Sequence, residues 1–181
     1  MKHPSILLVF LALFFIGCTT DTQTGEYLAI DTVTGLNLFD ENGSPLGQLG
    51  TPNDKQGDAI LYPIPAIDRF TIQVQSGVVD KIYTIPSDCD DEEVPSDVTT
   101  LLESHSYTVE ELELAAGTNT ANTYSLPGAS VDIDIEFSSK SPGFYRVFIL
   151  KADGELLWYN TYIDPNVTNY PDFSFYDMLC L

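Results

Sequence analysis

Three cysteines, two histidines and 27 carboxylates are the side chains of this 181-residue chain that could carry chemistry. A thiol nucleophile needs a neighbouring base, and the only histidine beyond the first few residues is His105, with no recognisable motif around it. A Ser-His-Asp triad would also have to run through His105, yet no Gly-x-Ser-x-Gly elbow locates its serine. Neither zinc-type His/Cys spacing nor a glycine loop for phosphate occurs. The carboxylates fall into patterns. Asp88, Asp90, Asp91, Glu92 and Glu93 surround Cys89, a run that reads as a solvated loop because a metal site needs converging ligands. Asp132, Asp134 and Glu136 alternate with apolar residues, which spaces them roughly 6.5–7 Å apart on one strand face and suits a solvated outer surface. Asp40, Asn42 and Ser44 echo the start of a calcium loop, but position 51, where an acidic ligand should follow, is Thr. A carboxylate pair for glycoside hydrolysis is set by separation in space, so a small carbohydrate-active enzyme stays as a minor alternative. The expectation is a non-enzyme without catalytic residues, metal or cofactor.

The first eighteen residues decide the compartment. Lys2 and His3 precede an apolar run from Ile6 to Ile16, and Gly17 stands directly before Cys18. The run is too short to span a bilayer and ends at a small-residue processing site. It resembles the lipobox of bacterial lipoproteins, which implies lipidation of Cys18 and a mature chain beginning there. Residues 1–17 are then the signal peptide, and the small polar residues of 18–29 a flexible tether. The protein is expected in the cell envelope, at the outer membrane, facing periplasm or surface and held by its lipid. Removing residues 1–17 takes away Lys2 and no carboxylate, so the formal charge moves from −20 to −21. So acidic a chain repels nucleic acid and anionic headgroups, leaving an envelope protein or glycan as the expected partner. In an oxidising envelope the other two cysteines, Cys89 and Cys180, are expected to form a disulfide.

The remaining residues, 30–181, read as one β domain. Asn42-Gly43 between apolar segments marks a hairpin, and residues 47–58 a loop. Pro63 and Pro65 keep 61–65 extended but outside a central ladder. Phe70, Ile72 and Val74 alternate with polar residues as a half-buried strand. Ser76-Gly77 should then turn the chain so that 78–85 returns as its partner. Tyr62-Pro63-Ile64-Pro65-Ala66, Phe70-Thr71-Ile72 and the strand Lys81–Ile85, followed by alternating Val131–Phe137 and Gly143-Phe144-Tyr145, are similar to the C-terminal sorting domain of type IX secretion substrates in Bacteroidetes. Covering about 59–163, the resemblance implies a small Ig-like β-sandwich and, as an alternative function, a sorting or passenger module. Between its halves lies an insertion at about 86–130. There Ser96 should cap a short helix through Leu102, Thr108–Leu114 is expected as a strand, and 117–130 as a polar loop. The fold class expected is mainly β, an Ig-like antiparallel sandwich with a short helix in the insertion and an extension at 164–181.

Asp153-Gly154 reads as a two-residue turn, pairing Ile149 with Trp158, Val147 with Asn160 and Tyr145 with Tyr162. The opposite face then carries Phe144, Phe148, Leu157 and Tyr159. Two apolar faces on one hairpin need covering. The aromatic tail around Tyr170–Cys180 is the expected cover, and a partner surface formed by those four residues the alternative.

Overall fold

The strands begin with a short one, β1 (Thr32–Val33), followed at once by β2 (Gly35–Phe39), which turns back as β3 (Pro45–Gly50). The computed structural model describes residues 29–89, 106–117, 123–129 and 132–164. At the expected Asn42-Gly43 tip, Asp40 Oδ1 accepts the N–H groups of Asn42 and Ser44, both at 2.8 Å. Gly43 takes the left-handed conformation at φ 76° that a side chain would strain. The carboxylate that suggested a calcium ligand is thus occupied in shaping a turn.

Strands β4 (Ala59–Tyr62) and β5 (Arg69–Val74) pair antiparallel. The next strand, β6 (Val79–Cys89), does not return beside β5 as expected. One edge of β5 is taken by β4 and the other by a later strand, so β6 has no place there and crosses to the opposite sheet. Strand β7 (Thr123–Ala129) lies in the stretch expected as loop; it pairs with Val79–Tyr83 of β6 at that strand's outer side. Strand β8 (Ile133–Glu136) supplies the second neighbour of β5. Its alternation is as the sequence reads: Ile133, Ile135 and Phe137 are buried, while Asp132, Asp134 and Glu136 face water.

Strands β9 (Gly143–Lys151) and β10 (Leu156–Ile163) close the fold as a long hairpin with a register one residue away from the expected one. Lys151 pairs with Glu155 around a three-residue loop, Ala152-Asp153-Gly154, with Gly154 at φ 92°. This is a turn plus a left-handed residue rather than a two-residue turn. Leu157 therefore faces Ile149, Tyr159 faces Val147, and Trp158 faces Phe148. A shift of one exchanges the two faces of a strand. Leu157 and Tyr159 consequently enter the main core with Tyr145, Val147 and Ile149, while Phe148 and Trp158 point the other way.

The architecture is mainly β and sandwich-like. A five-stranded sheet runs β1-β6-β9-β10 with β7 also on β6, a three-stranded sheet runs β4-β5-β8, and β2-β3 forms a third. The main core lies among them, built from Leu36, Leu61, Phe70, Ile82, Ile135 and Val147 together with their neighbours. The outer face of the long hairpin is covered by a helix, α1 (Val109–Ala116), where a strand was expected. Thr108 and Glu111 explain the helix: Thr108 Oγ1 accepts the Glu111 N–H, and the Glu111 carboxylate accepts the Thr108 N–H at 2.7 Å. This reciprocal capping box outweighs the strand-like look of the sequence. Leu112 and Ala116, one turn apart, then reach Tyr83, Phe148 and Trp158. Tyr107 meets Phe148 and Trp158 edge-on, with centroids 5.2 and 5.1 Å away. Ser96 and Leu102 lie outside the described residues, as does the tail at 165–181.

Candidate functional sites

Several buried polar side chains gather where Arg146 of β9 faces Asn160 of β10. Both are fully buried. Arg146 Nε donates to Asn160 Oδ1 at 3.0 Å, and Nη1 donates to the Ala29 carbonyl at 2.7 Å and the Tyr107 hydroxyl at 3.2 Å. Its Nη2 has no hydrogen-bond partner among the described residues. The Asn160 amide donates to Asn53 Oδ1 at 2.6 Å and the Gly35 carbonyl at 3.0 Å. Asn53 in turn donates to the Thr32 carbonyl at 3.0 Å. Asp54 completes the cluster by accepting the Asn160 backbone N–H at 2.8 Å and the Asn37 amide at 2.8 Å.

This arrangement solves an edge problem. Strand β10 ends its sheet, and a bare strand edge invites pairing with another chain. Here Lys55 exchanges both backbone bonds with Trp158, at 3.0 and 3.1 Å. The Ala66 N–H bonds the Tyr162 carbonyl at 2.8 Å, and the Ala66 carbonyl accepts the Asp164 N–H at 3.1 Å. Between them the Asp54 carboxylate stands where a neighbouring strand would offer a carbonyl. Burial lifts the Asp54 carboxyl to about 6, against the opposing pull of its hydrogen bonds and of Arg146. Desolvation likewise lowers the Arg146 guanidinium from its ordinary value.

Two lysines are also set apart. Lys151 is buried between Asp58 and Glu155, at 2.8 and 2.7 Å, and these hydrogen bonds hold its ammonium above the usual range. Lys140 donates to Thr84 Oγ1 at 2.8 Å, with its Nζ 5.6 Å from the Phe137 ring centroid and 5.7 Å from that of Tyr145. Ring faces attract a cation, but loss of water prevails and brings Lys140 down to about 8.

A depression of about 430 Å³ opens where β6 ends and β9 begins, lined by Pro86–Cys89, Ser141–Tyr145 and Tyr162. The Phe144 and Tyr162 rings meet edge-to-face at 5.0 Å there. Cys89 is half-buried on its wall. A smaller one of about 260 Å³ lies by Glu41, Pro63, Asp68, Arg69 and Thr71. Comparison with protein-family models, with curated proteins and with solved structures finds no match to this chain.

The residues singled out from sequence fare unequally. Cys18, Cys180 and His105 lie outside the described residues, as do Asp90–Glu93. Phe144, Phe148, Leu157 and Tyr159 are each 6% exposed or less, so the four do not form an open partner surface. Packing explains why: Phe144, Leu157 and Tyr159 belong to the main core, and Phe148 packs beneath the helix. Asp132 and Asp134 accept from Gln73 and Thr71 on the outer face. Among the described residues no three His, Cys, Asp or Glu side chains gather as a metal site would require. The Arg146 cluster escaped sequence reasoning, although a signal existed. Arg146 and Asn160 interrupt two strands that are mostly apolar, and a three-residue loop sets them opposite one another.

Proposed function

We propose that this is a lipid-anchored cell-envelope protein whose β-sandwich is a non-enzymatic structural or interaction module. The observation that carries the proposal is the Ile6–Cys18 segment, with its short apolar run and Gly17 directly before the cysteine. The use of the buried polar groups agrees with it. Arg146, Asn160, Asn53 and Asp54 fasten the chain before β2 and the loop after β3 to the last hairpin, and Lys151 ties that hairpin to Asp58. Groups held in this way rigidify a scaffold. The module would stand off the membrane on residues 18–29, with a bridge between Cys89 and Cys180, and meet an envelope protein or glycan. Cys18→Ala should move the protein from the membrane fraction to the soluble one, or leave it unprocessed, and abolish labelling by a fatty-acid analogue. Labelling unchanged by that substitution sinks the anchor.

A sorting or passenger role in type IX secretion is the second reading. It is favoured by the meeting of its two motif regions, since Ala66 of the Pro-x-Pro-Ala segment bonds the strand that follows Gly143-Phe144-Tyr145. Export of a reporter fused to residues 59–181 in a type IX-competent host would support it; a reporter retained inside the cell would rule it out.

A further inference from the structure

We infer that the depression at the end of β6 is the seat of the chain's own C-terminal segment, residues 165–181. Three observations converge on this occupant. The described chain leaves the sheet at Asp164, two residues after Tyr162, which lines the depression. The wall opposite carries Cys89, and Cys180 stands near the far end of the segment. Fifteen residues lie between Asp164 and Cys180, a span of up to roughly 50 Å when extended and ample to cross a depression whose two walls are both at hand. The chemistry also fits. Among the described residues the walls are mainly prolines, small residues and aromatic rings, with Asp88 the one charged side chain. The segment brings Tyr170, Phe173, Phe175, Tyr176, Met178 and Leu179 and carries no basic residue, so its affinity for this place is apolar and aromatic rather than ionic.

The outer face of the long hairpin has no need of this segment, because Leu112, Ala116 and Tyr107 cover Phe148 and Trp158. Attachment at Asp164 keeps the segment at high effective concentration beside the depression, so even a modest apolar fit holds it there. The seat goes beyond the anchored-module proposal and does not depend on the bridge. A Cys89–Cys180 disulfide would add a covalent tie to that seat.

Photo-cross-linking in the full chain tests this. Ser141 is exposed on the rim, and Ser141→benzoylphenylalanine puts a photoreactive ring over the depression while retaining the main-chain carbonyl that accepts the Tyr145 hydroxyl. Irradiation should join position 141 mainly to residues 165–181, both with Cys180 intact and in Cys180→Ser. Phe173→Asp combined with Phe175→Asp should remove most of that product. Cross-links to another segment, or between two copies, would overturn the seat, as would products on 165–181 that vanish in Cys180→Ser, since the bridge alone would then hold the segment. Peptide mapping without reductant reads the bridge separately. Free thiols alongside persistent cross-links would refute the disulfide and uphold the seat.

Discussion

Arg146 and Asp54 share one buried network, and each is made costly by the same loss of water. The Asp54 carboxyl rises from 3.8 in the unfolded chain to about 6 in the fold. A group with a raised folded value binds its proton more tightly when folded, so acidification stabilises the protein. The gain begins as pH falls through about 6 and is complete below 3.8. A shift of this size corresponds to roughly 3 kcal/mol. Asp54→Asn, neutral at every pH, should flatten that part of the urea-midpoint profile and raise stability at neutral pH, provided the Asn37 amide turns its oxygen inward. An unaltered slope would mean that Asp54 is better solvated than its burial implies. Arg146→Met takes a donor from Asn160, from the Ala29 carbonyl and from Tyr107, and should cost about 3–5 kcal/mol. Asp54→Asn should then recover more in that background than it gains alone, because the carboxylate has lost an opposing charge. A double-mutant cycle measures the difference, and simple additivity would show the two charges to be independent.

Strands and turns were legible wherever one local rule settled them. Asn42-Gly43 gave the first hairpin because both residues tolerate the turn's backbone, and the alternation in Phe70–Val74 and Ile133–Phe137 gave two faces directly. Register was not legible in the last hairpin, because Asp153-Gly154 fits a two-residue turn as readily as the end of a three-residue one. That single residue decided which side chains entered the core, and with them the position of the Arg146–Asn160 pair. The helix was missed because Val109, Leu112 and Leu114 suit either period, and only the Thr108–Glu111 pair tips the balance. The partner of β6 depended on which edges of β5 were already taken, a long-range fact. Close approaches between elements are equally hidden in sequence. A Cβ on Gly35 would lie 2.5 Å from the Leu49 carbonyl oxygen and 2.6 and 2.7 Å from the backbone nitrogens of Pro52 and Thr51. Backbone cannot swing aside as a side-chain tip can, so Gly35→Ala should cost about 3 kcal/mol or more. Thermal melting checks this, and a melting temperature like that of the parent would show that β2 and the loop after β3 can separate freely.

For the molecule as a whole, a bridge between Cys89 and Cys180 would close a loop of about ninety residues, worth roughly 4–5 kcal/mol by chain entropy. Reduction, or Cys180→Ser, should lower stability by up to that amount; an identical denaturation midpoint with and without reductant would remove the bridge from the account. The fastenings of residues 29–33 matter too. The Ala29 carbonyl is held by Arg146, the Asp31 carbonyl by the Asp88 N–H at 2.9 Å, and Thr32 and Val33 pair in parallel with Asp88 and Cys89. These fastenings follow one another within five residues. A mechanical pull transmitted to Ala29 would therefore meet the guanidinium first and the two parallel rungs next, before it could reach the hairpin at Gly35. Because Arg146 sits in the network that holds Asp54, the force needed to peel the chain's entry from the domain should itself change with pH.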